Sequence, residues 1–464
     1  MYYSDTIAAI STPLGCGGIG VIRLSGPEAV KTADKLFKPS KKISLSKAAT
    51  HTLHHGWISN AGVVIDEAMV SVMRAPHSYT GEDVVEISAH GGPVTLNRIL
   101  KLCLENGARI SRPGEFTFRA FINKKLDLTK AEAVAGLIAS RTELAAKAAA
   151  GQLSGLLSEK IEAWRAGLIA LAAKFEVKLD YAEENISFIS SKQALTELRG
   201  LIKALDKLTA TFEKGRLLAE GLKVTITGKP NTGKSSLMNA LLERERAIVT
   251  EVPGTTRDVL EEVLDIKGLP VLISDTAGLR KKTSDKVEKI GHSRAIEAVK
   301  RADLILWLID SSQKLSKEDG FIDGLIKSFG AQRKTLILLN KSDLRAKTNR
   351  QKVKKLFKGY KNILEVSALA GKGIPALEKA LFSYAHAGPV ASNEPILTSY
   401  RHYETLANAK KALQEAAEAV SEGHSEDITA FHVREALNYL GEITGETATE
   451  EILDAVFSKF CVGK

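Results

Sequence analysis

Eight consecutive residues constrain this chain most: Gly228-Lys229-Pro230-Asn231-Thr232-Gly233-Lys234-Ser235, which fit G-x-x-x-x-G-K-[ST]. The β-type run Leu222 to Thr227 precedes them and a helical run, Ser236 to Leu242, follows. In that context the glycines let backbone N–H groups wrap phosphates at a helix N-terminus. Lys234 is placed to reach the β- and γ-phosphates, and the Ser235 hydroxyl to take Mg²⁺.

The surrounding pattern extends this unit into a sheet. Val271 to Ser274, Asp303 to Asp310, Thr335 to Leu339 and Ile363 to Val366 read as strands separated by helical stretches, which implies a parallel doubly wound sheet. Each later strand delivers a polar motif at its end. Asp275-Thr276-Ala277-Gly278 follows Leu269 to Ser274; Asp275 can hold Mg²⁺ through water and Gly278 can sense a γ-phosphate. Asn340-Lys341-Ser342-Asp343 offers a carboxylate, Asp343, to the N1–H and N2–H₂ donors that guanine presents together and adenine does not. Ser367, Ala368 and Leu369 stand where they back up the base. Four motifs in order, each after a strand, imply a GTPase fold, with Asn231, Thr232, Gly233 and Ser236 as further nucleotide contacts.

No glutamine follows Gly278 to orient water, and no arginine finger is evident in cis. The segment Arg246 to Asp258 reads as a switch-like loop whose hydroxyls and carbonyls suit hard cations, with Thr256 as the second protein ligand of Mg²⁺.

At 464 residues the chain has room for about three domains. The first ~120 residues read as mixed α/β, with strand-like runs at Thr6 to Ile10, Gly20 to Leu24, Ala68 to Met73 and Val84 to Ser88. Leu153, Leu157, Ile161, Trp164, Leu168, Leu171 and Phe175 form the apolar stripe of a long helix, read first as core packing. Helical texture returns at Thr398 to Ala419, Asp427 to Leu440 and Thr449 to Phe460. The expected architecture is an N-terminal α/β domain (1–120) and a helical domain in two parts (121–220 and 387–464), with the Ras-like P-loop domain (221–386) inserted between them.

A net charge of +10 favours a polyanionic partner, nucleic acid above all, against the alternative of a solvated lysine-rich surface. Cys16, Cys103 and Cys461 are too few for a disulfide framework or a zinc site. No apolar run reaches the ~18–20 residues of a membrane span, and no signal peptide is read, so the expected location is cytoplasmic, with no stable membrane insertion. Gly15 to Gly20 satisfies G-x-G-x-x-G, but Val21 to Leu24 after it reads as strand, against a dinucleotide site. His51, His54 and His55 have metal-like spacing and no partner carboxylate or cysteine in sequence; they read as surface histidines.

Taken with Asp5 to Ala9, Gly17 to Gly20, Tyr79 to Glu86, His90 to Pro93, Arg112 to Phe116, Lys125 to Leu128 and the terminal Cys461-Val462-Gly463-Lys464, the chain resembles tRNA modification GTPases of the MnmE/TrmE type nearly end to end. The resemblance implies an N-terminal domain that binds folate and dimerises, a helical domain and an inserted G domain. It implies a homodimer working with a flavin-dependent partner of the MnmG/GidA type, as a heterotetramer, on tRNA. The pair would add an aminomethyl or carboxymethylaminomethyl group to C5 of the wobble uridine. GTP, Mg²⁺, K⁺ and 5,10-methylene- or 5-formyl-tetrahydrofolate would be used, with FAD and NADH through the partner.

Carried over by position, Asn231, Thr250, Val252 (by its backbone) and Thr255 would hold K⁺, Thr250 and Thr255 also lying against GTP. Glu288 would orient the attacking water; without the family it is a charged residue at a helix start. Arg23, Glu86, Lys125 and Lys464 would bind the folate, where cations suit its glutamate tail and a carboxylate accepts from pterin donors. Cys461 is either a nucleophile with a lowered pKa near Lys464, or structural. Phe118 departs from a charged residue carried by many relatives. A ribosome-assembly GTPase binding rRNA shares the G motifs and is the alternative.

Overall fold

The computed structural model describes residues 5–41, 43–180, 190–244, 261–275, 296–297, 299–385 and 394–464; for 177–180, 261 and 275 it describes the backbone alone. By internal contacts the chain forms two compact units: 1–138, 152–205 and 405–464 in one, 139–151 and 206–404 in the other. The expected boundaries at 220 and 387 both fall inside the second unit. Thr211 Oγ1 accepts from Leu397 N at 3.1 Å there, so the helix Phe212–Glu220 and the segment around Leu397 belong with the nucleotide-binding sheet.

In the first unit, seven strands form one sheet: β1 Ile7–Ile10, β2 Gly17–Ser25, β3 Phe37–Pro39, β4 Thr52–Asn60, β5 Val63–Met73, β6 Val84–Gly91 and β7 Arg109–Ile110. Their order is β3-β4-β5-β6-β2-β1-β7, antiparallel except for β1 with β7. Helices Ala29–Leu36 and Pro93–Glu105 cover one face, burying Ile22, Leu24, Val85, Ile87, Leu96 and Ile99. Since side chains alternate along a strand, Arg23 and Glu86, opposite each other in the β2–β6 register, stand on the other face. Helix Glu115–Ile122 covers that face, its Phe116 packed with Ile7 and Ala9.

The predicted stripe lies on helix Leu156–Asp180, where Leu157, Ile161, Leu168, Leu171 and Phe175 are buried, and this helix packs along helix Glu426–Thr444. Leu153 is instead the last residue of helix Glu143–Leu153.

The second unit's sheet is β13-β12-β11-β8-β10-β9, from β8 Leu222–Thr227, β9 Glu261–Ile266, β10 Leu269–Asp275, β11 Leu304–Asp310, β12 Thr335–Asn340 and β13 Asn362–Glu365. Five strands run parallel as expected, and β9 corrects the all-parallel expectation by joining β10 as an antiparallel edge. The turn explains it: Lys267 and Gly268 take φ of 55° and 87°, the geometry of a two-residue type I′ hairpin. Central strands read as unbroken apolar runs because both faces are buried: Leu304, Leu306 and Leu308 pack on one side, Ile305, Trp307 and Ile309 on the other.

Candidate functional site

The phosphate-binding segment leaves β8 at Thr227 and enters helix Lys234–Arg244, as the spacing requires. Asn231 and Gly233 take φ of 61° and 93°, a backbone that curls round and turns successive N–H groups inward. Gly233 is obligatory there, because a Cβ would lie 2.4 Å from Asn340 Nδ2. Lys234 is buried along its stem, and its Nζ donates to the carbonyls of Gly228 and Lys229 at 2.8 and 2.9 Å, holding the ammonium over the loop. Lys229 pairs with the fully buried Asp319 at 3.3 Å. Ser235 and Ser236 are exposed in the first helical turn.

Asn340 ties this loop to the base end. Its Nδ2 donates to Thr232 O at 2.7 Å and its Oδ1 accepts from Ala368 N at 3.0 Å, so three of the four motifs share one amide. Lys341, with φ of 62°, pairs with Asp310 at 2.7 Å. Burial pushes the Asp310 carboxyl up, but Lys341 and the Ser312 hydroxyl and N–H hold it below the usual carboxylate range. Asp343 is exposed at the loop's rim, Ser367 is buried with its Oγ accepting from Ala370 N at 3.1 Å, and Leu369 is exposed. Asp343→Asn is expected to weaken GTP about tenfold or more and to admit xanthosine triphosphate, because an amide presents a donor where N1–H needs an acceptor. Competition binding with both nucleotides checks it; unchanged guanine preference would refute the role.

Asp275 closes β10, beside Ile226 of β8. Thr250, Val252, Thr255, Thr256, Thr276, Ala277, Gly278 and Glu288 lie outside the described residues.

A second site forms in the first unit around the chain's end. Arg23 pairs with Glu86 at 2.7 Å, and its guanidinium lies over the rings of Tyr79 and Phe116 at 5.6 and 5.7 Å. The terminal segment is laced to this place: Pro113 bridges to Val462, Phe116 N donates to Lys464 O at 3.2 Å, and Ser11 Oγ donates to Gly463 O at 3.0 Å. The same carbonyl accepts from Arg23 at 3.5 Å. Gly463 has φ of 93°, and a Cβ would stand 2.4 Å from Ile10 O, so only glycine lets the tail approach β1 this closely.

Lys125 lines an adjoining cavity of about 430 Å³ with Tyr79, His51, His77, Ser78 and Met73. Its Nζ donates to Pro76 O at 3.1 Å. Tyr79 thus borders both places; burial raises its phenol pKa, and its hydroxyl is bonded to Thr117 Oγ1 at 2.9 Å. The structure therefore brings Arg23, Glu86 and the backbone of Lys464 together and sets Lys125 one ring away. Cys461 is exposed, its carbonyl accepting from Gly114 N at 3.3 Å.

The remaining sequence features resolve simply. Gly17 to Gly20 belong to β2, so no helix follows that glycine run. His51, His54 and His55 each have different neighbours, Thr50, Thr52, and Ser40 with Glu67. His55 therefore has a carboxylate partner across the strand that sequence adjacency hid. Phe118 packs edge-on against Phe457 with ring centroids 5.2 Å apart, which accounts for an aromatic where a charge was expected. Sequence reasoning missed Asp310 and Asp319, although Asp310 could have been found as an acid ending an otherwise apolar strand.

The family description "MnmE helical domain" matches residues 128–461, and "GTP-binding protein TrmE N-terminus" matches residues 6–125. A protein of Thermoanaerobacter pseudethanolicus named "tRNA modification GTPase MnmE" is 43% identical over 463 residues, covering 99% of each chain. Proteins of the same name from Carboxydothermus hydrogenoformans and Moorella thermoacetica are each 45% identical, again over 99% of each chain. Among solved structures, Era in complex with MgGDPNP and a 16S ribosomal RNA fragment aligns over 41% of this chain and 65% of that one, at 25% identity and a TM-score of 0.28. Relatives matched from end to end, together with two family descriptions that divide almost the whole sequence between them, show that the chain belongs to the MnmE family of tRNA modification GTPases.

Proposed function

We propose that this chain is a K⁺-dependent, dimerisation-activated GTPase. With a flavin-dependent partner of the MnmG/GidA type it would add an aminomethyl or carboxymethylaminomethyl group to C5 of the wobble uridine of certain tRNAs, using a one-carbon tetrahydrofolate. GTP hydrolysis in tRNA modification is the activity its relatives are named for. The observation that carries the reading to this chain is the terminal Cys-Val-Gly-Lys segment seated against Arg23, the partner of Glu86, which puts an exposed thiol in the same unit as a cation–carboxylate pair flanked by two aromatic rings.

Arg23, Lys125 and Lys464 would hold the folate's carboxylates and Glu86 would accept from its pterin donors. Tyr79 supplies an apolar wall, and the cavity it shares with Lys125 offers room. At the nucleotide, Lys234 and the inward backbone N–H groups bind phosphate, Ser235 and Thr256 would hold Mg²⁺, and Asn231, Thr250, Val252 and Thr255 would hold K⁺. The exposed side chains of Asn231 and Ser235 at the mouth of the loop fit those assignments. When bound, K⁺ would supply the positive charge that an arginine finger supplies elsewhere. Glu288 would orient the attacking water. By its motifs we divide the chain into a folate-binding domain (1–120), a helical domain (121–220 and 387–464) and an inserted G domain (221–386), with the helix Phe212–Glu220 and the segment around Leu397 packing with the G domain. Among the described residues no helix is long and apolar enough to cross a membrane.

Deleting the gene, digesting bulk tRNA and quantifying wobble uridines by mass spectrometry tests the whole reading. The 5-substituted uridines should vanish, return with the wild-type gene, and stay absent with Cys461→Ser, whose GTP hydrolysis should persist. Unchanged nucleosides on deletion would overturn the function; restoration by Cys461→Ser would remove the thiol from the chemistry.

A further inference from the structure

The connection from β12 to β13 concentrates positive charge. Residues 345–361 hold eight lysines and arginines and no aspartate or glutamate, in a chain whose net charge is +10. All eight are exposed, and none forms an ion pair with a carboxylate among the described residues. Their neighbours Lys327 and Lys341 behave differently, pairing with Asp323 and Asp310 at 2.7 Å each. Solvated protein surfaces ordinarily intersperse both signs, and a single-sign run is held at a cost in self-repulsion.

The frame beneath the charges is fixed. Helix Arg350–Leu356 is capped by Asn349, whose side chain accepts from Lys352 N at 3.0 Å. Val353, Phe357 and Tyr360 are buried; the two rings lie 4.9 and 5.5 Å from Trp307, and the Tyr360 hydroxyl donates to Asp323 at 2.9 Å. With the aromatics turned inward, the surface presents ammonium and guanidinium groups and no ring on which a base could stack. Such a surface matches a chain of phosphates and does not read base edges. The segment begins beside the loop of Asp343 and ends at Asn362, the start of the parallel strand β13, so a bound polyanion would run from the guanine end of the nucleotide site toward the opposite end of the strands.

We propose that the 345–361 surface docks the phosphate backbone of tRNA, independently of base sequence. The choice of tRNA among RNAs rests on the tRNA-modifying reading above; the docking of phosphates does not.

The test uses the full-length protein and an unmodified tRNA transcript, with anisotropy titrations from about 50 to 200 mM salt. Lys354, Lys355, Lys358 and Lys361 are changed together to alanine; none belongs to the nucleotide-binding loops, so guanine-nucleotide affinity serves as the folding control. Each neutralised phosphate contributes roughly 0.7–0.9 to the slope of log affinity against log salt. The variant should bind tRNA at least about tenfold more weakly, with a slope shallower by roughly 3, while the matching four-arginine variant binds as the wild type does. Unchanged affinity and slope in the alanine variant would overturn the proposal even if the wobble uridines depend on the gene. Loss of binding to phosphatidylglycerol vesicles with no loss toward RNA would also overturn it, making the surface a membrane contact. Equal, lysine-dependent binding of tRNA and ribosomal RNA, in a strain whose wobble uridines do not change on deletion, would support phosphate docking and sink the tRNA reading alone.

Discussion

Gly233→Val should lower guanine-nucleotide affinity by at least about a hundredfold, equivalent to about 2.7 kcal/mol. Three costs converge on this position. Its φ of 93° is one that side-chain-bearing residues avoid at about 1–3 kcal/mol. The new Cβ would stand 2.4 Å from Asn340 Nδ2, so that amide must move. Moving it unpairs Thr232 O and Ala368 N, two groups whose bonds to Asn340 join the phosphate loop to the base-side loop, at about 1–3 kcal/mol for each buried group left unsatisfied. The damage therefore reaches both ends of the nucleotide. Titration with a fluorescent GDP analogue reads it directly. Gly324→Ala, on helix Lys317–Ser328 with nothing within 4 Å of the added methyl, is the matched control and should leave affinity unchanged. Affinity of the valine variant within threefold of wild type would mean that Asn340 does not couple the loops.

That coupling shows what sequence can and cannot deliver. The strand–loop–helix around Gly228 to Ser235 was legible because local spacing dictates it, and the order of the later motifs was legible because each ends a continuous apolar strand. β9 was not: Glu261-Glu262-Val263-Leu264-Asp265-Ile266 carries acids at positions that suit an edge strand, and only its pairing with β10 across Lys267-Gly268 makes it one. β4 was hidden for a similar reason, since Leu53, His55 and Trp57 lie partly on an open face and mix polar with apolar. Long-range contacts were the least legible. Nothing local in Gly463 says that its carbonyl will meet Ser11, 452 residues away. The family resemblance supplied the residues of that site, and the geometry supplied the reason that a tail without secondary structure stays in place.

The same limit applies to the ion network beneath the first unit's sheet, and it carries the second large effect. Arg119→Met should destabilise that unit by about 3 kcal/mol at neutral pH, because it removes a buried cation shared by the buried Glu115 and the part-exposed Glu82 and Asp5. The Arg119 side chain is 2% exposed and bonds Asp5 at 2.7 Å, Glu82 at 3.2 Å and Glu115 at 3.1 Å. Arg109 closes the circle, at 2.7 Å from Asp5 and 2.6 Å from Glu115. Burial pushes the Glu115 carboxyl up, yet Arg109, the Arg112 N–H and Arg119 together bring it below its ordinary value near 4.5. Asp5 is lowered in the same way: burial opposes, and Arg109 with Arg119 outweighs it.

Carboxyls depressed on folding stabilise the protein fully above their unfolded pKa values and lose that contribution as pH falls through the folded ones. The penalty of Arg119→Met should therefore be largest near pH 7 and shrink below about pH 4, where the wild type surrenders the same interactions. Calorimetry of the full chain separates the two units, because GTP with Mg²⁺ raises only the transition of the unit that binds it. The other transition should fall by roughly 10 °C at pH 7 and by much less at acid pH. A fall independent of pH would reduce Arg119 to a packing residue, and no fall at all would remove the network from the unit's stability.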